Sequence, residues 1–492
     1  MDAPVVSGEP RLLVDGALVE PASGATYDNV NPATEAVLGP AGDAGREDAD
    51  RAIASARRAF DETDWATDHA FRARCLRQLA EALDGAREEF RQILVAELGS
   101  PILLTYNIQL DLPVSWFPYW ADLAEGYAYE QELPVAEFMG EPNRGIQRRE
   151  PTGVVGAITA FNFPLYLTLV KLGPALAAGN TVVHKPAPDT PWTGTLLGRL
   201  IAEGTDIPPG VVNVLPSSGP EIGEALTTDP RVDMIAFTGS TETGRRIMAA
   251  AAPTLKKTFL ELGGKSANVI LDDVDLMTAL PLAPAWACSN AGQGCALYTR
   301  LLLPRSKYDE GVAFLKMGFE NFPIGDPAEP QHLAGPLVSE RQRDRVLSMI
   351  GRAVDDGATL AVGGGRPAHL PKGYYVEPTL FTDVDPASEL AREEVFGPVM
   401  AVLPYEDDDD AVRIANDSIY GLSGSVWSAD ESRALDVARR IRTGSVSVNG
   451  GQWIHTSRPF GGYKQSGLGR ENGVEGFEEY TEIKVVGLPP AP

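Results

Sequence analysis

A chain of 492 residues, 43% hydrophobic and 22% charged, has the balance of a soluble globular protein and the length for two or three sizeable cores, so a multidomain α/β architecture is the first expectation. Its formal charge of −26 repels phosphate backbones and anionic lipid headgroups, and the basic runs RRAF and RRIRTG sit in mixed helical segments without forming a patch. Nucleic acid and membrane surfaces are thereby set aside as partners.

The opening MDAPVVSGEPRLLVDG has neither the basic start nor the apolar stretch of a secretory signal, and no run approaches the roughly 18 apolar residues of a membrane span. A cytoplasmic address is expected. Residues 46–98 carry apolar positions at helical spacing and end at Gly99 and Pro101, which predicts a helical pair. The polar, strand-prone segment YAYEQELPVAEFMGEPNRGIQRREP and the C-terminal FEEYTEIKVV look like exposed edge strands in need of a partner. They are expected to pair across a subunit boundary, with pairing inside the chain as the competing arrangement.

From Pro151 the runs GVVGAITA, NTVVHKP, GVVNVLP and VDMIAFTG alternate with helical or turn segments, the pattern of a doubly wound parallel sheet. A second alternation starts near residue 265 with SANVILDD, YTRLLLP, PVMAVLPY, GLSGSVWS and GSVSVNG. The acidic run EDDDD at 406–410 predicts a solvated loop leading into a helix N-terminus.

Three cysteines without CxxC spacing form neither a disulfide framework nor a zinc site, and five scattered histidines make no HExxH or hydrolase triad, so no metal is expected. Cys75 and Cys288 suit core packing. Cys295, in NAGQGCALYTR, is instead flanked by the small residues Gly294 and Ala296, which suits an open approach to its sulfur. In FTGSTETG, Gly239 and Ser240 occupy a strand-to-helix turn able to hold a phosphate, or a mere connection. Lys185 ends a strand where a ligand crevice would open, although taken alone a solvated lysine fits as well. Glu261 of ELGGKS is a candidate general base with Gly263 and Gly264 leaving room beside it; in isolation, a strand-end glutamate facing water is the simpler reading. Asn162 of TAFNFPL is either an oxyanion donor or a cap for its own loop.

FNFPLYLTLVKLGPALAAGNTVVHKPAPDTP, FTGSTETG, LELGGKSANVI, NAGQGC, EEVFGPV and PFGGYKQSGLGRENG occur in an order and spacing that resembles the NAD(P)-dependent aldehyde dehydrogenase superfamily along nearly the whole chain. The resemblance implies two doubly wound, Rossmann-like α/β domains plus a small β oligomerisation arm. Residues 1–124 and 150–261 would form the NAD(P)-binding domain, 262–477 the catalytic domain, and 125–149 with 478–492 the arm of a homodimer or homotetramer. It implies Cys295 as nucleophile, Asn162 with the Cys295 N–H as oxyanion donors, and Glu261 as the base that activates water.

For the cofactor, the resemblance assigns Lys185 to a ribose, Gly239 and Ser240 to the turn beneath the pyrophosphate, and Glu394 and Phe396 to the nicotinamide ribose and ring. Pro188 departs from the pattern, because members preferring NAD often carry Glu three positions after the lysine. No Arg or Lys nearby in the sequence offers a partner to a 2′-phosphate, so NAD is the expected cofactor and NADP the alternative. The implied substrate tunnel is Phe163, Tyr166, Leu167, Val170, Ile454 and Phe460, with His455 and Arg458 on the loop at its mouth, either to bind a polar or carboxylate-bearing aldehyde or, for Arg458, to make a structural ion pair. Val170 replaces the bulky aromatic of several relatives, which predicts a medium or long aliphatic, or an aromatic, aldehyde. The glycine-rich GGYKQSGLGRE is implied to serve folding and the interface. A CoA-acylating semialdehyde dehydrogenase, a catalytically silent binding homologue and a simple thiol esterase are the competing functions.

Overall fold

Five buried runs after Pro151 form parallel strands in a computed structural model that describes residues 6–490; residues 1–5 and 491–492 of the expected domain spans lie outside the described residues. Across the sheet they follow the order Lys257–Glu261, Met234–Thr238, Val154–Ile158, Thr181–Lys185 and Val212–Val214. Antiparallel strands Leu12–Val14 and Ala17–Val19 extend one edge. The other edge is closed by Gly467–Leu468, antiparallel to Leu260 and Glu261, so a segment expected within the catalytic domain completes this first sheet.

Period-two burial explains the layering. Val154, Val183, Ile235 and Phe237 pack on one side against Ala49, Ile53 and Ala56 of helix Arg46–Glu62. Val155, Val182, Met234 and Ala236 pack on the other against helices His69–Gly85, Pro164–Ala178 and Pro191–Gly204. The chain leaves Val154–Ile158 toward one edge and returns at Met234–Thr238 toward the other, which makes the crevice beyond these two carboxyl ends the topological switch point.

The second sheet has the order Thr359–Val362, Thr379–Thr382, Val399–Tyr405, Arg300–Pro304, Ala267–Ile270, Ser423–Trp427 and Ser445–Val448. All pairs are parallel except that between the first two strands. Five of these strands are those read from the sequence, and EDDDD enters helix Asp408–Asn416, which Asp407 caps by accepting from the Asp410 N–H.

Two expectations are corrected. The stretch from 46 to 98 is three helices rather than a pair, Arg46–Glu62, His69–Gly85 and Arg87–Ile93, followed by the wider turn Leu94–Leu98. Ala86 breaks the pattern with φ −100° and ψ 8°, a local bend that apolar periodicity does not register. The presumed cross-subunit strands pair with each other inside the chain: Thr481–Leu488 runs antiparallel to Glu141–Pro151, from Thr481 opposite Pro151 to Leu488 opposite Arg144, and Glu130–Phe138 adds a third strand. Eight paired residues satisfy the inner edge of Thr481–Leu488 within the chain, while its outer edge and that of Glu130–Phe138 stay unpaired among the described residues. Arg149 and Tyr127 both bond Glu478, at 2.9 and 2.6 Å, and root the arm. Among the described residues, no helix is long and apolar enough to cross a membrane.

Candidate active site

The expected catalytic residues converge at the switch point. Asn162 lies between strand Val154–Ile158 and helix Pro164–Ala178, whose first residue, Pro164, fixes where the loop ends. Its main-chain carbonyl accepts from Gln109 Nε2 at 2.9 Å and Asn290 Nδ2 at 3.0 Å, while its own Nδ2 donates to the Gln293 carbonyl at 3.2 Å. Gln293 in turn accepts the Val338 N–H at 2.9 Å. A web of buried side-chain amides thus ties the Asn162 loop to the Cys295 loop and leaves the second Nδ2 hydrogen of Asn162 available. Gln109, far from every motif, was missed in the sequence because nothing local marks it.

The Cys295 loop is strained on its approach. Asn290 and Ala291 have φ of 53° and 54°, and Gly292 follows at 72°; a left-handed non-glycine residue costs on the order of 1–3 kcal/mol. A Cβ on Gly292 would stand 2.1 Å from the Gly397 carbonyl, so only glycine lets the EEVFGPV loop approach. The glycines of ELGGKS act likewise. A Cβ on Gly264 would come within 2.2 Å of the Cys295 carbonyl oxygen, and one on Gly263 within 2.5 Å of a Glu394 carboxylate oxygen. They admit the Cys295 loop and Glu394 rather than clearing space around Glu261. Gly294 makes way for Leu297, whose side chain begins 2.8 Å from where its Cβ would be.

Glu261 is fully buried, against the local reading of a water-facing strand end. Its strand is covered by Gly467–Leu468, and among the described residues both carboxylate oxygens lack a hydrogen-bond partner. Burial, then the Glu471 charge, raises its carboxyl well above the usual range; Lys171 and the neighbouring Cys295 thiol pull it back. Glu471 is held by Lys171 Nζ at 2.6 Å in a wholly buried pair, with its second oxygen unpartnered. Burial also raises the half-buried Cys295 thiol, and Glu261, Glu394 and Glu471 push it further. Burial and the surrounding carboxylates thus favour the neutral form of both the thiol and the carboxyl. By contrast, Cys75 and Cys288 are completely buried, with thiols raised by burial, to about 11 in Cys75.

The donor set along the crevice fits a dinucleotide. Ser240 caps helix Thr241–Ala251 by accepting from the Thr243 N–H at 3.2 Å, placing the helix's positive end just after Gly239. Lys185 is buried and, among the described residues, bonds the Pro186 carbonyl alone, at 3.3 Å, so it has donors to spare; burial lowers its ammonium to about 8. Glu394 accepts from the Gly264 N–H through one oxygen at 2.9 Å, leaving the other for a hydroxyl, and burial raises its carboxyl to about 7. Phe396 has φ 56°, is held through its carbonyl by Gln342 Nε2 at 2.8 Å, and meets Phe161 edge-on at 5.8 Å. Among the described residues no His, Cys, Asp or Glu cluster is arranged to hold a metal ion.

Tyr166, Leu167 and Val170 form one apolar cluster joined by Phe163, Ala160, Ile108 and Trp116. The sequence reading missed Ile108 and Trp116, which arrive from a separate segment. Within this sleeve the Tyr166 hydroxyl accepts from Asn472 Nδ2 at 3.2 Å. Phe460 stacks on Trp453 at 5.3 Å, and His455 packs against Trp116 at 5.2 Å. Ile454 is half-buried on the same loop and stays outside the cluster. Arg458 is spent on its own loop, donating to the Gln452 carbonyl.

A thiol, a buried carboxyl and a held amide beside a dinucleotide-type crevice define an oxidoreductase class. The Aldehyde dehydrogenase family model matches residues 18–486. The 3-succinoylsemialdehyde-pyridine dehydrogenase of a Pseudomonas species is 41% identical over 96% of this chain and 97% of its own length. A Mycobacterium tuberculosis aldehyde dehydrogenase solved with NAD+ is 42% identical, with a TM-score of 0.94 over 98% of both chains. Aldehyde dehydrogenase C of Pseudomonas syringae, solved as a mutant with NAD+ and octanal, is 38% identical, with a TM-score of 0.92 over 98% of this chain and 97% of its own. The chain belongs to the aldehyde dehydrogenase family, the NAD(P)-dependent oxidoreductases that act on aldehydes.

Proposed function

We propose that this protein oxidises a medium-to-long aliphatic or aromatic aldehyde to the carboxylic acid, with NAD as hydride acceptor and water as acyl acceptor. The observation that carries the reading is Glu261, buried at a strand end beside the Cys295 thiol and, among the described residues, with no other side chain bonded to its carboxyl, while the Asn162 amide is tied to the same loop. The ionised form of Glu261 takes the Cys295 proton and passes it to solvent, and Cys295 Sγ attacks the aldehyde carbon. The resulting oxyanion takes hydrogen bonds from Asn162 Nδ2 and the Cys295 N–H. When bound, NAD(P) would supply the hydride acceptor, so that loss of hydride from the former aldehyde carbon leaves an acyl thioester on Cys295. Glu261 then draws a proton from water, whose oxygen attacks the thioester and releases the acid. Such a base has little use where CoA takes the acyl group, which favours hydrolysis.

Lys185, Gly239, Ser240, Glu394 and Phe396 hold the dinucleotide in this reading, with 1–124 and 150–261 as its domain and 262–477 as the catalytic domain. The size of the substrate rests on the apolar sleeve and the small Val170, and on similarity to proteins named for a pyridine-bearing aldehyde or solved with octanal. The arm, 125–149 with 478–492, makes the protein a homodimer or homotetramer.

An aldehyde panel followed by absorbance of the reduced nicotinamide tests this. Octanal and benzaldehyde should surpass acetaldehyde in kcat/KM, and Val170→Trp should erase that advantage. Cys295→Ala should abolish turnover while NAD still binds; Glu261→Gln should keep the first-turnover burst and stall the steady state. An absolute requirement for CoA would overturn the assignment to hydrolysis.

A further inference from the structure

Pro188 offers no carboxylate to the ribose that Lys185 would hold, and sequence neighbours supply no cation for a phosphate. The fold supplies both from elsewhere. Asp189, one residue on, has a side chain 22% exposed, and Nη2 of Arg341 lies 3.8 Å from its Oδ2. Arg341 is the second residue of helix Glu340–Asp355, and its guanidinium reaches Asp189 on the loop that follows strand Thr181–Lys185. Its side chain is 84% exposed and, among the described residues, makes no hydrogen bond that fixes it. Asp189 acts on Lys185 as well: its charge, ahead of Asp43 and Glu221, counters the burial that lowers the lysine. One carboxylate is therefore shared by two cations, one anchored and one free to turn.

We propose that Arg341 is the 2′-phosphate anchor of this protein and Asp189 the group that opposes it, so that the chain binds NADP as well as NAD and this pair sets the ratio. The proposal rests on Lys185 as the ribose-binding lysine. A guanidinium presents a planar fork of donors matched to phosphate oxygens. An exposed ion pair at 3.8 Å contributes little, so Arg341 leaves it at small cost. A 2′-phosphate near Asp189 meets like charge, and Asp43 and Glu221 add to the repulsion felt around Lys185. The excess of carboxylates keeps NAD the tighter ligand, while Arg341 prevents the exclusion of NADP that those carboxylates would otherwise impose.

The test is calorimetric titration of the full-length protein, without aldehyde, with NAD, NADP, ADP and 2′,5′-ADP. Wild type should bind 2′,5′-ADP. The ratio of Kd for NADP to that for NAD should rise roughly five- to tenfold in Arg341→Ala and fall by a comparable factor in Asp189→Asn, as expected for a solvent-screened charge-assisted bond. Raising salt should weaken NADP more than NAD in wild type, and the difference should shrink in Arg341→Ala. A ratio unmoved by Arg341→Ala, or no binding of 2′,5′-ADP to wild type at millimolar concentration, overturns the proposal. Should NAD itself fail to bind, the cofactor reading falls and takes this one with it.

Discussion

Glu261 meets a carboxylate, Glu471, and an ammonium, Lys171, in a place without water-exposed surface. The two act in opposite senses on its proton, so their balance helps set the pH at which Glu261 ionises. Glu471→Gln removes the charge that raises the Glu261 carboxyl and frees the Lys171 charge that lowers it. Both changes have the same sign: the acid limb of the steady-state kcat profile should move to lower pH. An unmoved limb in a folded, NAD-binding variant would detach Glu471 from the reaction. The substitution also weakens a buried ion pair, for which loss of a partner costs about 3–5 kcal/mol, and Gln retains one acceptor for Lys171. Cys295, Asn162 and Glu261 were legible because the resemblance rests on motifs that contain them. Lys171 and Glu471 stand 300 positions apart, and Asp189 and Arg341 come from different sheets' surroundings, so no window of sequence holds either pair.

Glu97 shows how one side chain can end a helix it does not belong to. Helix Pro191–Gly204 begins with a proline, which has no N–H, and Thr190 provides no side-chain cap. The next two amides, of Trp192 and Thr193, both donate to the Glu97 carboxylate at 2.9 Å, and Asn29 Nδ2 joins them at 2.9 Å. Burial nevertheless raises this carboxyl to about 7, so its charge costs more to bury than these donors return. A carboxyl raised in the folded state gives stability that is full below its unfolded value near 4.5 and is lost as pH rises through about 7. Between pH 5 and 8 wild type should therefore lose stability by a term of about 3 kcal/mol at most, and Glu97→Gln should flatten that part of the melting-temperature profile. Glu97→Ala should melt below wild type at every pH, because four buried donors, the Thr193 hydroxyl among them, lose their acceptor. Long buried strands such as Val399–Tyr405 were readable from their apolar runs, and so were the amphipathic helices. Thr359–Val362, Thr379–Thr382 and Gly467–Leu468 were not: each is four residues or fewer, close to Gly or Pro, and becomes a strand only because a neighbouring strand pairs with it.

At the scale of the molecule the arm is the part that folding of one chain leaves unfinished. Oppositely charged cross-strand pairs, Arg148 with Glu130 at 3.3 Å and Arg144 with Glu132 at 3.6 Å, hold its register. Between such charges stand apolar side chains without cover: Val135, Ile483, Val485 and Val486 are all exposed. Ile483 and Val485 are two positions apart on strand Thr481–Leu488 and thus point to the same face of the sheet. The outer edges of Glu130–Phe138 and Thr481–Leu488 are unpaired among the described residues. Exposed apolar side chains beside open edges are what an isolated chain avoids and an oligomer buries. A surface carrying a net −26 resists indiscriminate association, so contact is confined to where apolar area outweighs repulsion. Light scattering should accordingly give two or four times the 52.6 kDa of one chain. The double variant Ile483→Asp, Val485→Asp should lower that mass toward one chain, since each carboxylate would have to be buried at the interface, while the circular dichroism of the two large sheets stays as in wild type. A wild-type monomer at micromolar concentration would remove the arm's assigned role, and a variant that remained oligomeric would move the interface to another surface.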